Sequence, residues 1–479
     1  MAFWLVMMGL LVYREVLVPR MHAHQFPPRL TEARDLWMGI YSGGECVGFV
    51  NSRTTPETRG TERGVRLHLN LRMALSIVGF RAGLFLGGTA WLSAEKGLSD
   101  FDFTFRSGRH RMRVTGAVAE GALDARLETG GESLPFTFPI SDDLLLSAGM
   151  GMPSLDVRLL EPGQQAYVDA FDPTTMSMGK ARLECVGTAT LTVGGELIET
   201  FVIATTIGGI TTRAWVTAGE EVVRAETPFG FTLEKISPQE ALTPIEPSEK
   251  ANVVRALAIM PSGLRPWRDA TMMRVRFSGV DETHMPPSDA VQSRAPSGYV
   301  ITVPEAPKAG SGAALPEAVR ERFLQSDAFI PAHHEKIAEA AHSVVGEATE
   351  PWQQALRLHD WAFTHVKKVP VISIPSALDV LHTLEGDCNE HTVLFTALAR
   401  AMGIPTRIAI GVAWSEELEG FGYHAWPEVH VGQWIPMDPT FGQPVADATH
   451  IKLLNGSIDQ WTQLLPYVGQ LQIEVLEVQ

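Results

Sequence analysis

From about Leu36 to Lys235, apolar and polar side chains alternate with a period of two. Val65-Arg66-Leu67-His68-Leu69-Asn70-Leu71 is the cleanest run, and Phe101-Asp102-Phe103-Thr104-Phe105 and Met112-Arg113-Val114 repeat it. Alternation gives each strand one apolar and one polar face, the pattern of an antiparallel sheet covered on one side. Gly43-Gly44 reads as a turn between Leu36–Tyr41 and Cys46–Val50. Gly194-Gly195 reads as a hairpin turn between Thr190–Val193 and Leu197–Val202. The pattern predicts an antiparallel β domain over 30–236, a sandwich or a half-barrel. A curved sheet of this kind can cradle a hydrophobic ligand. A packed interior is the favoured reading, because no residue cluster in this region demands chemistry.

The period then changes. Over 237–307 proline is frequent, and Met272–Phe277 and Tyr299–Val303 read as two strands of a small β bridging module. Pro286-Pro287 and Pro296 fall in the loop between them. Ala309-Gly310-Ser311-Gly312-Ala313-Ala314 has the composition of a linker. Beyond it, over 315–479, apolar residues take helical spacing around His333–Val345 and Pro351–Val366. A chain of 479 residues is too long for one core, so a multidomain α+β protein is expected.

The chemistry concentrates in this last region. Gly386-Asp387 suits a turn, and the apolar spacing from Val393 to Ala401 makes a helix that Gly403 and Pro405 stop. Cys388 then falls in the first turn, where the helix dipole and free N–H groups favour a thiolate and can receive an oxyanion. Around His424 a strand-like alternation begins, and Gly432-Gln433 turns it into a second strand through Trp434, Pro436 and Asp438. Such a hairpin brings His424 and Asp438 within hydrogen-bond reach. Nucleophilic acyl transfer needs these three groups: a thiol, a base, and an acid to orient the base. Each alone has a structural reading, as a buried cysteine, a core histidine or a turn former before Pro439. Their concurrence favours the catalytic reading.

The stretch Gly386-Asp387-Cys388, Tyr423-His424-Ala425-Trp426-Pro427-Glu428-Val429 and Trp434-Ile435-Pro436-Met437-Asp438-Pro439-Thr440 resembles the transglutaminase-like superfamily. The tail through Asp447 and His450 is similar to bacterial members in particular. The resemblance implies a papain-like core over about 315–455, with Cys388 as nucleophile, His424 as base and Asp438 as orienting acid. Thr392 departs from a common alanine, a small change expected to be without consequence. The family holds peptidases, amidases, protein cross-linking enzymes and members without known activity. Its motif implies a thioester, resolved by water or by an amine. Hydrolysis is favoured, since water needs no dedicated acceptor site. The alternative from another class is a binding or assembly module with a silent triad.

Composition narrows the partners. Lys and Arg number 39 against 55 Asp and Glu, a net charge of −16, which argues against nucleic-acid binding and against docking on anionic lipid by charge alone. A peptide or protein substrate is expected, and no cofactor. No CxxC or HExxH motif occurs, and His333-His334 is adjacent, so no metal site is expected. Cys46 and Cys185 read as two buried free thiols, with a disulfide between them as the alternative. Trp426 and Trp434 flank the site in sequence, as walls or as core. The acidic loop Ser415–Gly422 reads as solvated or as a discriminator against acidic substrates. Ala2–Val12 is apolar and Val16-Leu17-Val18 follows it; residues 1–20 read as a short membrane anchor, with an interfacial helix or a buried helix as alternatives. The anchor and the bacterial resemblance together imply a periplasmic or cell-envelope location.

Overall fold

A computed structural model describes residues 33–77, 80–140, 144–146, 161–174, 176–207, 210–227, 230–243, 257–307, 313–371, 375–456, 463–464 and 466–479. The hydrophobic segment 1–20 lies outside the described residues, as does most of the linker at 309–314. Among the described residues, no helix is long and apolar enough to cross a membrane.

A large antiparallel β region forms the N-terminal part, and a mixed α/β core forms the C-terminal part. Among the described residues, the alternating segment folds into one sheet of fifteen strands. They are β1 (Arg34–Ser42), β2 (Glu45–Arg59), β3 (Glu62–Ile77), β4 (Phe80–Ser93), β5 (Gly97–Ser107), β6 (His110–Ala119), β7 (Ala122–Thr129) and β8 (Glu132–Pro139). Then follow β9 (Leu144–Leu146), β10 (Gln165–Asp172), β11 (Ser177–Val193), β12 (Glu196–Ile207), β13 (Ile210–Val216), β14 (Val222–Glu226) and β15 (Phe231–Lys235). Two meanders, β8 back to β1 and β15 back to β10, are joined through the β1–β15 pair, and β9 adds in parallel at the edge of β10. Gly43-Gly44, Gly130-Gly131 and Gly194-Gly195 hold positive φ at both turn positions, the geometry whose twist matches tight hairpins.

One face of the sheet is apolar and closes on itself. Phe101 on β5 and Phe138 on β8 both meet Phe171 on β10, with ring centroids 5.6 and 5.4 Å apart. The sheet therefore curls around one packed core, as a half-barrel rather than two stacked sheets. Its outer face carries cross-strand ion pairs such as Arg113 to Asp102 at 2.7 Å and Arg66 to Glu57 at 2.6 Å. Cys46 and Cys185 are both free. Cys185 is buried as expected, but Cys46 is exposed, because it sits next to the β1–β2 turn.

The bridging module is a five-stranded sheet in the order β16 (Ser262–Gly263), β26 (Gln472–Val478), β17 (Met272–Ser278), β19 (Gly298–Thr302) and β18 (Gln292–Ala295). Two short helices, α1 (Pro238–Ala241) and α2 (Glu317–Arg322), flank it in sequence. Met273, Val275 and Tyr299 of this sheet share one apolar cluster with the C-terminal core.

That core holds α3 (Glu335–Val345), α4 (Pro351–His365), α5 (Ala377–Thr383) and α6 (Cys388–Ala401). Two short strands, β20 (Lys367–Lys368) and β21 (Glu385–Gly386), pair beside them. The helices pack on a four-stranded antiparallel sheet in the order β24 (Trp434–Pro436), β23 (Gly420–His430), β22 (Thr406–Ser415), β25 (Ile451–Gly456). Residues 390–399 of α6 are all buried, so this helix is the axis of the domain and its first turn is fixed in place. Glu428 on β23 is buried between Arg407 at 2.6 Å and Lys452 at 2.7 Å, and Lys452 also reaches Asp289 of the bridging module. This charge cluster clamps the module to the sheet.

The β region rests on the same core. The buried His110 Nδ1 lies 2.5 Å from Asp379 on α5, and Glu132 pairs with Lys336 at 2.5 Å. Gly130 packs so closely on α5 that a Cβ there would sit 2.4 Å from the Leu378 backbone. Phe329, just ahead of α3, belongs to the apolar cluster inside the β sheet.

Candidate active site

Cys388 is the first residue of α6, as its flanking residues predict. Asp387 caps the helix, and Glu390 folds back to accept the Asp387 N–H at 2.9 Å, a reciprocal capping box. That fold-back explains Gly386, which holds φ +153°, and where any Cβ would lie 2.2 Å from Glu390 Cβ. Thr392, one turn on, donates to the Ala425 carbonyl at 3.0 Å. The departure from alanine therefore has a consequence, since it ties α6 to the strand that carries His424. The Cys388 thiol sits against the backbone N–H of Ala425, next to His424.

His424 and Asp438 come together as the hairpin predicts, with His424 Nε2 donating to Asp438 Oδ2 at 2.8 Å. Asp438 itself lies two residues past β24, in a turn that it closes through paired bonds with Gln443 at 2.9 Å each way. Its Oδ1 accepts the N–H groups of Thr440 at 2.7 Å and Phe441 at 2.9 Å. His359 on α4 donates to its backbone oxygen at 3.1 Å. Asp438 is fully buried. Burial alone would raise its carboxyl, but its interactions with His424, then with His450, hold it well below the ordinary range. With Nε2 committed to Asp438, Nδ1 is the His424 nitrogen left to take a proton.

The electrostatics at Cys388 differ from expectation. Burial comes first, the Asp387 carboxylate second, and together they push the thiol well above its ordinary value, against the helpful N–H of Ala425. Cys388 keeps part of its residue surface open to solvent.

Residues 338–439, which span Cys388, His424 and Asp438, match the family model of the transglutaminase-like superfamily core. The chain carries a transglutaminase-like superfamily domain. Among solved structures, a candidate cysteine protease from Cytophaga hutchinsonii is similar at 17% identity, over 46% of this chain and 85% of that one, with a TM-score of 0.30. A candidate protease from Parabacteroides distasonis is similar at 10% identity, over 72% of this chain and 69% of that one, with a TM-score of 0.19. A search among curated proteins finds no match.

Two further residues complete the centre of the transglutaminase-like domain. His450, buried at the foot of β25, donates from Nε2 to Asp438 Oδ2 at 2.9 Å. Its Nδ1 lies 3.1 Å from both the backbone oxygen and Oδ1 of Asp447. The sequence signal for it was the tail that resembles bacterial members, which assigned it no role. The ring nitrogens and an Asp438 oxygen lie within 4.8 Å of one another, near enough for a cation. The two Nε2 to Oδ2 distances, 2.8 and 2.9 Å, are those of hydrogen bonds.

Around this cluster His424 is sandwiched between Phe441 and Trp426. The buried Trp426 thus walls the site. Trp434 packs elsewhere, against Phe323 and under Arg407. Arg268 of the bridging module lies over Phe441 at 4.1 Å and donates to Thr449 at 3.1 Å. The acidic loop is engaged by the same module, with Arg265 pairing Glu416 at 3.1 Å and Glu419 at 3.3 Å.

Proposed function

We propose that the protein is a thiol-dependent acyl-transfer enzyme that cleaves amide or peptide bonds through a Cys388 thioester, acting as a peptidase or amidase at the cell envelope. The observation that carries this reading is the His424–Asp438 bond on the strand that touches the Cys388 thiol. His424 Nδ1 accepts the thiol proton as the sulfur attacks the carbonyl carbon. The backbone N–H of Cys388, at the open end of α6, faces the developing oxyanion. Asp438 balances the imidazolium through Nε2. His424 then returns the proton to the departing amine, and the thioester forms. Water, deprotonated by His424, attacks the thioester and releases the acid with regeneration of the thiol. An amine in place of water would give cross-linking by the same steps.

The test is trapping. Purified protein is incubated with a mixed peptide and amide library in the presence of hydroxylamine, which intercepts thioesters. Hydroxamate products from wild type, and their absence with Cys388→Ala or His424→Ala, support the enzyme reading. No product from wild type, with Cys388 inert to alkylation, would shift the weight to a binding module that keeps a silent triad.

A further inference from the structure

One carboxylate oxygen serves two imidazoles. Asp438 Oδ2 accepts from His424 Nε2 at 2.8 Å and from His450 Nε2 at 2.9 Å. A neutral imidazole owns a single N–H. His450 faces an acceptor at each nitrogen, Asp438 on one side and Asp447 on the other, so it satisfies both only as the imidazolium.

Asp447 is built to keep it so. Its Oδ1 accepts from Thr449 through the backbone N–H at 2.9 Å and the hydroxyl at 2.5 Å. Its Oδ2 accepts from the Asp269 N–H at 2.9 Å and Gln443 Nε2 at 2.7 Å. Arg268 Nε stands 3.4 Å away. Every one of these donors favours the carboxylate form. The directions agree: burial would lower His450, but the bonds to Asp438 and Asp447 raise it, and Asp447 is held far below the ordinary carboxylate range.

We propose that His450, gripped by Asp447, is a fixed cation that divides the charge of Asp438 and so keeps His424 in its neutral, proton-accepting form. The role rests on the reading of Cys388 and His424 as nucleophile and base. An undivided carboxylate would stabilise a protonated His424, which has no lone pair for the thiol proton. The ring centroids of His424 and His450 are 5.6 Å apart, close enough for like charges to oppose each other in a buried site. The other charged or titratable groups around His450 act in both directions. Arg268 reaches it from the bridging module through Asp447, and Lys368 from β20 is felt at Asp438. Cys388 and the buried His391 lie across on α6, and His359 on α4 donates to the Asp438 backbone oxygen at 3.1 Å. Trp426 and Phe441 close the remaining sides with uncharged rings. His450 is a positioning residue, since it acts on the base through Asp438.

The experiment is iodoacetamide labelling of Cys388, followed by mass spectrometry from pH 4 to pH 10, in wild type, His424→Ala, His450→Gln and Asp447→Asn. Glutamine keeps an N–H donor for Asp438 but carries no charge. The acid edge of labelling is expected to move up by about one pH unit in His450→Gln, and less in Asp447→Asn. Circular dichroism confirms folding, and Asp447→Asn decides the matter if His450→Gln does not fold. Acid edges unmoved in the folded variants, with labelling slowed in His424→Ala, would overturn the role of His450 alone. Labelling as fast in His424→Ala as in wild type would instead remove the base itself, and the proposed function with it.

Discussion

The imidazole of His424 lies flat against the ring of Phe441, with centroids 4.6 Å apart and planes 14° from parallel. Trp426 stacks on the base at 6.0 Å and 22°. Together the two rings leave His424 one orientation, the one that meets Asp438. Phe441 is 38% exposed, so its contribution to folding is modest. Phe441→Ala is expected to slow Cys388 alkylation at neutral pH about tenfold, or ~1.4 kcal/mol, with little change in the denaturation midpoint. Phe441→Tyr is expected to restore the rate. Equal rates in Phe441→Ala and wild type would show the stack to be incidental.

The thiol of Cys388, raised by burial and then by Asp387, depends on His424 to lose its proton. Without the base, labelling in His424→Ala is expected only above the ordinary thiol range of about 8.5. Asparagine is as good a helix cap as aspartate but carries no charge. Adding Asp387→Asn to His424→Ala should therefore lower the pH at which labelling begins. Superimposable profiles for the single and double variants would contradict the electrostatic account.

The buried cluster also ties stability to pH. Asp438 and Asp447 are both lowered, despite burial, by their histidine partners. Their contribution is full above the unfolded carboxylate value of about 3.9 and is lost as pH falls through the folded values. His450 is raised, so its contribution is full below about 6.5 and is lost as pH rises through its folded value. The urea midpoint of wild type is expected to decline on both sides of a window between about pH 4 and pH 6.5. Asp447→Asn should flatten both limbs, and a curve parallel to wild type would exclude this source.

His110 and Asp379 form a buried pair between the β region and α5. His110→Ala strands the carboxyl and is expected to cost about 3 kcal/mol in chemical denaturation. The apolar double replacement His110→Leu with Asp379→Leu should recover most of it. A single variant within about 0.5 kcal/mol of wild type would mean that solvent reaches Asp379 freely.

Much of this was legible in the sequence where the signal is local. Alternation gave the strands of the β region, glycine pairs gave their turns, and a cap beside an apolar period placed Cys388 at the start of its helix. The hairpin arithmetic brought His424 to Asp438. Curvature was not legible, because a period of two says which side is apolar and nothing about how far the sheet bends to bury it. Neither was His450, whose part depends on both ring nitrogens meeting carboxyl groups across a loop. A helix terminus beside Cys388 is written in the sequence, whereas the burial that raises its thiol is made only when the chain folds around it.

Hairpin tips are ordinarily the most forgiving places in a β domain, where chains accept inserted peptides. Several tips here fit that rule, since a side chain at Gly44, Gly121, Gly194 or Gly195 would meet nothing within 4 Å. The tips at His110 and Gly130 do not, because both are seated on α5, the helix that leads into the Cys388 turn. A library of random insertions would survive at the first group and be purged at the second. Drift in loop length is thereby confined to the solvent-facing tips, and Gly194-Gly195 is the natural place to graft a fluorescent reporter or an affinity tag.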